Sequence, residues 1–374
     1  MINISVMGSV GKSTTSHALA WYLANFGQSY FCGLGNYPKH VSAAKKRADA
    51  TRPNFCVYEV SGAALIKGST KTIGEKSNAI INPDVLLFTT IAPAHYSWCG
   101  SLKEIARRKM EAFKKIKKGG VLILNADSKE FETLKSGWPA YTTLLTYGTS
   151  DHCQICFDVY EGTIKFRGLS FDIKFPLFFS AYEKLNIVGC VSAILSIVPL
   201  INLPKTFDFS KLPTLDGRGK LYKNVKLFNF EINLISDCYN SNPISMQNGL
   251  HKFSKLNVSG RKIVVICQMK DLGSLEIVGH ETVIRTALNL KFDLVIAIGE
   301  LYHVAIEQHL ISCKIENLDE ILRNNVRNGD TLYFKGSHMY GLWGYVNNLV
   351  GNKSNLKAKF YECREPIELN ESLI

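Results

Sequence analysis

The sequence predicts an α/β protein: a first domain with a mainly parallel sheet around a phosphate-binding loop, then a smaller, Rossmann-like α/β domain. Three observations carry this. Apolar, strand-like runs alternate with helical patterns through the first half. A glycine loop, Gly8-Ser9-Val10-Gly11-Lys12-Ser13-Thr14-Thr15, joins the first of those runs to the first helical pattern. A proline-containing stretch at 199–213 separates this half from a second set of alternating elements.

Taken in order, the apolar run Ile2-Asn3-Ile4-Ser5-Val6 predicts a strand at 2–6, and the residues after Gly11 predict a helix near 12–26. Further strands are expected at 54–60, 84–91 and 120–125, with a helix at 101–117. A β-rich patch spans 143–180, where Val159, Ile164, Phe166, Phe171 and Ile173 stand at roughly alternating positions. An apolar helix follows at 184–197. Beyond the linker, strands are expected at 225–236, 262–267, 293–298 and 330–335, with helices at 244–254 and 277–290. There is no internal repeat. The expected domains are 1–205 and 206–374, with a site in the cleft between them.

Composition narrows the class. Hydrophobic residues make up 46% and charged residues 20% of 374, which is globular rather than disordered. No apolar run reaches about 18 residues, and no basic segment precedes an apolar one at the N-terminus, so neither a membrane span nor export is expected. The ten cysteines, scattered through apolar segments, read as reduced thiols of a cytoplasmic protein. Cys153 and Cys156 form a CxxC, but no second pair completes a zinc site. Much of the net charge of +12 is local, in Lys45-Lys46-Arg47 and in 107–118. Solvated helix faces and attraction of anionic nucleotides account for it, so neither nucleic acid nor membrane is expected as a partner.

The glycine loop is a phosphate cradle. Gly8, Ser9, Val10 and Gly11 let successive backbone N–H groups point inward, and the helix N-terminus at Ser13 and Thr14 adds partial positive charge. Lys12 can reach terminal phosphates and the Ser13 hydroxyl can ligate Mg²⁺, although the strictest form of the motif would have glycine where Val6 stands. Glu59 and His95 follow predicted strands, so both fall at the carboxyl edge of the sheet, and Lys109 lies on the helix after His95. Singly these are a surface carboxylate, a loop imidazole and a solvated lysine. As an ordered set beside phosphates they suit one or two Mg²⁺ ions.

The run from His95 through Gly100-Ser101-Leu102-Lys103-Glu104-Ile105-Ala106 to Lys109 and Glu111 resembles the His…GSLxxIAxxKxE block of the Mur ligases, ATP-dependent amide-forming enzymes of peptidoglycan synthesis. The resemblance implies that Glu59 and His95 are Mg²⁺ ligands, that Lys109 is a lysine that becomes carbamylated, and that Asn186 lies on the adenine side. Asn125-Ala126-Asp127 matches the family's strand-terminal NAD, but Leu185 and Gly189 replace a His and an Asn of its HNxxN helix start.

The second half is similar to the branch that adds D-alanyl-D-alanine. Gly217-Arg218 resembles its GR element, whose arginine contacts ATP phosphates. Asp237, Tyr239, Asn240 and Asn242-Pro243 resemble DxYNANPxSM, which implies ribose binding by Asp237 and a base near Tyr239 and Asn240. Lys335-Gly336-Ser337-His338 resembles KGSR, implying substrate contacts for Lys335, Ser337 and His338, with His338 in place of arginine.

The resemblance implies a carboxylate–amine ligase. ATP phosphorylates a carboxylate, an amine attacks the acyl phosphate, and ADP and phosphate leave, with Lys12, Lys109, His95 and Arg218 as catalytic groups. Its partners would be small-molecule or peptide carboxylates and amines. The family's UDP-binding N-terminal domain has no counterpart before Gly8, so a non-UDP substrate or an accessory subunit is expected as the alternative. A ParA-like regulatory ATPase also begins with such a loop, but it would carry a second lysine near Val6 and Met7 and would not explain the Tyr239 or Lys335 blocks. A catalytically idle relative is disfavoured by the retained Lys12, Glu59, His95 and Lys109.

Overall fold

The computed structural model describes residues 1–33, 37–65, 69–93, 96–176, 179–302, 310–351 and 360–362. Two compact units emerge, one from the described residues of Met1–His95, Ser101–Leu212 and Leu356–Ile374, the other from those of Tyr96–Gly100 and Pro213–Asn355. The division falls beyond the expected 205/206 boundary, and the proline-containing linker itself supplies a short strand to the first unit.

Among the described residues, that unit is built on an eleven-stranded sheet. Strands β1 (Ile2–Met7), β2 (Ser29–Cys32), β3 (Phe55–Glu59), β4 (Val85–Phe88), β5 (Val121–Asn125) and β6 (Thr143–Gly148) are all parallel, in the order β6-β5-β4-β1-β3-β2. The middle strands are buried along their whole length, as expected of a parallel sheet covered on both faces. Next come β7 (Ile155–Asp158), parallel to β6, then β8 (Thr163–Phe166) and β9 (Leu169–Lys174) in antiparallel pairing, and β10 (Thr206–Asp208), parallel to β9. Burial alternates along β7 to β9, which is the pattern read at 143–180. At the other edge, Phe360–Glu362 pairs antiparallel with β2.

The helices of this unit are α1 (Lys12–Leu23), α2 (Pro38–Thr51), α3 (Ile73–Ile81), α5 (Leu102–Met110), α6 (Phe131–Ser136) and α7 (Ala181–Ile197), while α4 (Tyr96–Cys99) falls in the second unit. The helix expected at 101–117 ends at Met110 and gives way to a 3-10 turn, Phe113–Lys115. Helix α7 begins before 184 because Ser180 and Glu183 form a reciprocal capping box. Helix α2 escapes a periodicity reading because only Val41 and Ala48 of its fourteen residues are buried.

The second unit has six strands, β11 (Lys220–Leu227), β12 (Phe230–Asp237), β13 (Lys262–Cys267), β14 (Leu294–Ile298), β15 (Leu310–Cys313) and β16 (Thr331–Lys335), in the order β11-β12-β16-β13-β14-β15. Among the described residues only β11 and β12 of this sheet pair antiparallel. The run read at 225–236 is the second part of this hairpin, whose turn places Phe228 at φ 56°, so no glycine or proline marks it. Helices α8 (Pro243–Ser254) and α9 (Glu276–Asn289) cover one face through Met246, Leu250, Phe253 and Val283, packed on Val264, Ile266 and Val295. Helices α10 (Leu318–Asn325) and α11 (Leu342–Leu349) cover the other through Leu322, Leu342 and Val346, packed on Ile263, Val265 and Phe334. Among the described residues no helix is long and apolar enough to cross a membrane.

Candidate active site

Parallel register brings the carboxyl ends of β1, β3 and β4 side by side: Val6 stands opposite Glu59 and Leu87, and Met7 opposite Phe88. The loop after β1 therefore sits over the sheet edge where α/β folds hold ligands. Gly8 has φ 141° and Gly11 φ 83°, both in the region that favours glycine. Neither position has room for a side chain. A Cβ at Gly8 would lie 1.9 Å from the Thr89 hydroxyl, and one at Gly11 would lie 2.5 Å from Asn186 Nδ2.

The loop is braced from behind. Thr89 Oγ1 donates to Val10 O at 2.7 Å, and Ser9 N donates to Thr90 O at 2.8 Å. Asn125 Nδ2 holds the Thr90 hydroxyl at 2.9 Å. Lys12 Nζ donates to Ser9 O at 3.4 Å, curling back over the loop. Ser9 is buried and its hydroxyl has no partner. Gly11 is the N-cap of α1 and no side chain caps that helix, so its first N–H groups face the cradle.

Lys109 is the unusual group, a lysine only 2% exposed on α5. Its Nζ donates to Gly8 O at 2.9 Å and lies 2.9 Å from where a Cβ of Gly62 would be. Glu59, Ser9 and Ser13 are buried as well. Among the described residues no three His, Cys, Asp or Glu side chains converge as a metal cage. The donors beside the loop are instead a buried carboxylate, Glu59, and a serine hydroxyl, Ser13. Oxygen donors of this kind suit Mg²⁺, which is usually held by one or two carboxylates together with substrate phosphates. His95 lies outside the described residues.

Asn186, the adenine-side expectation, is buried against Gly11. The replacement of the family's second asparagine by Gly189 has a physical counterpart. The Tyr147 hydroxyl lies 3.0 Å from where a Cβ of Gly189 would be and donates to Phe88 O at 3.4 Å. Complete burial pushes that hydroxyl well above its ordinary pKa, so it stays a donor.

In the second unit, Asp237 ends β12 and Lys335 ends β16, directly opposite each other in parallel register. Asp237 Oδ2 accepts from Lys335 Nζ at 2.6 Å and from the Tyr333 hydroxyl at 2.8 Å, and Lys335 is only 3% exposed. The expected ribose-binding carboxylate and the expected substrate lysine are thus one ion pair, its lysine buried and its carboxylate partly exposed. Arg218 lies with its guanidinium carbon 4.4 Å above the Tyr239 ring. Asn240 accepts from its neighbour Ser241 N, and Ser337 is buried, its hydroxyl accepting from Met339 N at 3.4 Å. The His338 side chain lies outside the described residues.

Sequence reading missed the braces. Thr89 and Thr90 were absorbed into an apolar strand at 84–91, whereas β4 ends at Phe88. Tyr333 and Trp343, the neighbours of Asp237 and Tyr239, carry no motif at all.

Comparison with known proteins is consistent across the chain. A Mur ligase middle domain matches residues 6–189, and a Mur ligase glutamate ligase domain matches 224–338. UDP-N-acetylmuramoyl-tripeptide–D-alanyl-D-alanine ligase of Bacillus subtilis (strain 168) is 26% identical over 363 residues, covering 93% of this chain and 75% of that protein. The same-named enzyme of Mycobacterium leprae is 23% identical, covering 93% and 73%. Among solved structures, the MurF ligase from Thermotoga maritima in complex with ADP superposes with a TM-score of 0.72 at 20% identity, over 94% of this chain and 80% of that one. E. coli FolC in complex with ADP superposes with a TM-score of 0.62 at 15% identity, over 94% and 89%. At those identities the structures speak for the fold alone.

Proposed function

Because the chain belongs to the Mur ligase family and is an ATP-dependent, ADP-forming ligase that makes amide bonds, we propose that it joins D-alanyl-D-alanine to the peptide carboxylate of a UDP-N-acetylmuramoyl tripeptide. The observation that carries this reading is the match to the Bacillus subtilis ligase along 93% of the chain, together with the family matches at 6–189 and 224–338, which include the phosphate loop and the Asp237 and Lys335 blocks. The phosphate-binding loop is assigned to the domain 1–205 and further nucleotide and substrate contacts to 206–374, and the reaction is assigned to the cytoplasm, where ATP is supplied.

In this mechanism the loop amides and Lys12 hold the phosphates while the substrate carboxylate attacks the terminal phosphorus. ADP leaves, the amine attacks the acyl phosphate, and inorganic phosphate departs as the amide forms. Ser13, Glu59 and His95 would hold Mg²⁺, which neutralises phosphate charge when bound. Arg218 would add a further positive charge, and Asn186, Asp237, Tyr239 and Asn240 would bind the nucleoside. Lys335, Ser337 and His338 would line the amine side.

Lys109 is assigned a carbamate. A buried ammonium is costly to desolvate, whereas the neutral amine can add carbon dioxide and lose a proton to become an anionic metal ligand. The carbamate keeps one N–H, so the bond to Gly8 O survives the modification. Replacing Lys109 by Ala should abolish activity, and a short carboxylate in the buffer should restore part of it; absence of rescue would count against the carbamate.

Phosphate release from ATP, measured with UDP-N-acetylmuramoyl tripeptide and D-alanyl-D-alanine and then with other carboxylates and amines, tests the whole reading. Stimulation that needs both named substrates supports it. Stimulation only by other acceptors overturns it in favour of a second reading, a different amine or acceptor, which His338 at the KGSR position favours.

A further inference from the structure

Trp343 is the second residue of α11 and is only 8% exposed, yet its indole N–H has no hydrogen-bond partner. An unpaired buried donor is costly, so an apolar side chain would serve packing at least as well. The surroundings supply another reason for an indole. Its ring meets Tyr239 nearly edge-on, with centroids 5.2 Å apart and planes at 77°. It also presses against Gly217, where a Cβ would lie 2.9 Å from Trp343 Nε1 and 3.1 Å from Tyr239 Cβ. Gly217 has φ 69°, and its carbonyl accepts from Tyr239 N at 3.2 Å. One aromatic plate therefore bears on both the Gly217–Arg218 junction and the ring over which Arg218 lies.

We propose that Trp343 is a positioning residue for nucleotide binding. It fixes the Tyr239 ring and the left-handed turn at Gly217, and through them the guanidinium of Arg218. The Tyr239 ring face beneath the guanidinium fixes where that positive charge stands without neutralising it. The inference rests on the reading that Arg218 contacts ATP phosphates. It adds a residue that touches no substrate and acts only through its neighbours.

The test is a double-mutant cycle on the full chain, read as affinity for ATP with Mg²⁺ by titration calorimetry, with melting temperature as the control for folding. Trp343→Met, which fills much of the volume without a ring, should weaken ATP binding about tenfold, while Trp343→Phe, which keeps a ring on Tyr239, should stay within about threefold. Arg218→Ala should weaken binding at least about tenfold, and adding Trp343→Met to it should cost less than about twofold more. An equal loss from Trp343→Met in both backgrounds, or no loss at all, overturns the proposal while leaving the Arg218 reading intact. Unchanged affinity in Arg218→Ala overturns the Arg218 reading and this inference with it. Should Trp343→Met fail to melt cooperatively, Gly217→Ala displaces the indole from the other side and must show the same dependence on Arg218.

Discussion

The phosphate loop of the first unit and the strand ends of the second hold charge in opposite ways. At the loop, backbone amides are aimed at a ligand, and the Thr89 hydroxyl and the Thr90 carbonyl behind them brace the curve. At β12 and β16 the charged side chains satisfy each other: Asp237 takes both Lys335 and the Tyr333 hydroxyl, and Arg218 lies on Tyr239. A backbone cradle is complete before ligand arrives and costs little stability to keep. A side-chain cluster is part of the core's own electrostatic balance, so function and stability are entangled there.

That contrast breaks first, and by most, at Lys12. Lys12→Ala should lower ATP-dependent ligation at least about 10³-fold, roughly 4 kcal/mol of transition-state stabilisation, with the melting temperature nearly unchanged. Steady-state phosphate release and thermal unfolding on the same preparation check it. A large fall in melting temperature would mean that the loop, too, is a structural element.

At the second site the expected sign is reversed. Asp237→Ala leaves a lysine that is only 3% exposed without its carboxylate, and an uncompensated buried charge of this kind should cost about 3 kcal/mol in urea unfolding. Asp237→Ala combined with Lys335→Met should recover most of that stability while nucleotide binding stays impaired. Recovery of both would make the pair purely structural.

The two regions were also unequally legible. Gly8, Gly11, Lys12 and Ser13 act through local spacing on one loop, and a backbone site of that kind is written in consecutive residues. The parallel sheet was readable for the same reason, because buried strands and their covering helices leave apolar runs. Lys335 pairs with Asp237 across 98 residues of sequence, and nothing local distinguishes a substrate lysine from a buried partner. The hairpin at Phe228 hid because a bulky residue takes the left-handed turn. Helix α2 hid because so little of it is buried, and Thr89 and Thr90 looked like more strand. The capping box at Ser180 and Glu183 was the signal available for the start of α7.

A smaller effect, about 2 kcal/mol, separates the units by pH. His17, on the helix that carries the loop, packs against Phe31, and burial holds its pKa at about 4, below the ordinary 6.5. The folded state therefore keeps it neutral. As pH falls below 6.5 the unfolded chain gains a proton that the folded chain refuses, so stability is lost down to about 4. Between pH 7 and 5 this should cost about 2 kcal/mol, and His17→Gln should remove that part of the slope. In the second unit His280 is also lowered by burial, but its Nε2 accepts from Met269 N at 2.9 Å, so protonation there would break a bond as well. Thermal unfolding of His17→Gln and of the unsubstituted chain across this range measures the His17 contribution.

The finest adjustment concerns how much the bracing matters to a cradle made of backbone. Thr89 Oγ1 donates to Val10 O at 2.7 Å, and the same hydroxyl fills the space that keeps position 8 a glycine. Thr89→Val keeps the shape and removes the donor, which should cost about 1 kcal/mol of stability. If the glycine conformations alone set the loop, KM for ATP will not move. If the hydroxyl holds Val10 in place, KM will rise severalfold with kcat nearly constant, because the loop binds phosphate alike in the ground and transition states. The second outcome is expected, since the Thr89 hydroxyl is the side-chain tie that draws Val10 O toward the end of β4, beside the backbone bond from Ser9 N to Thr90 O.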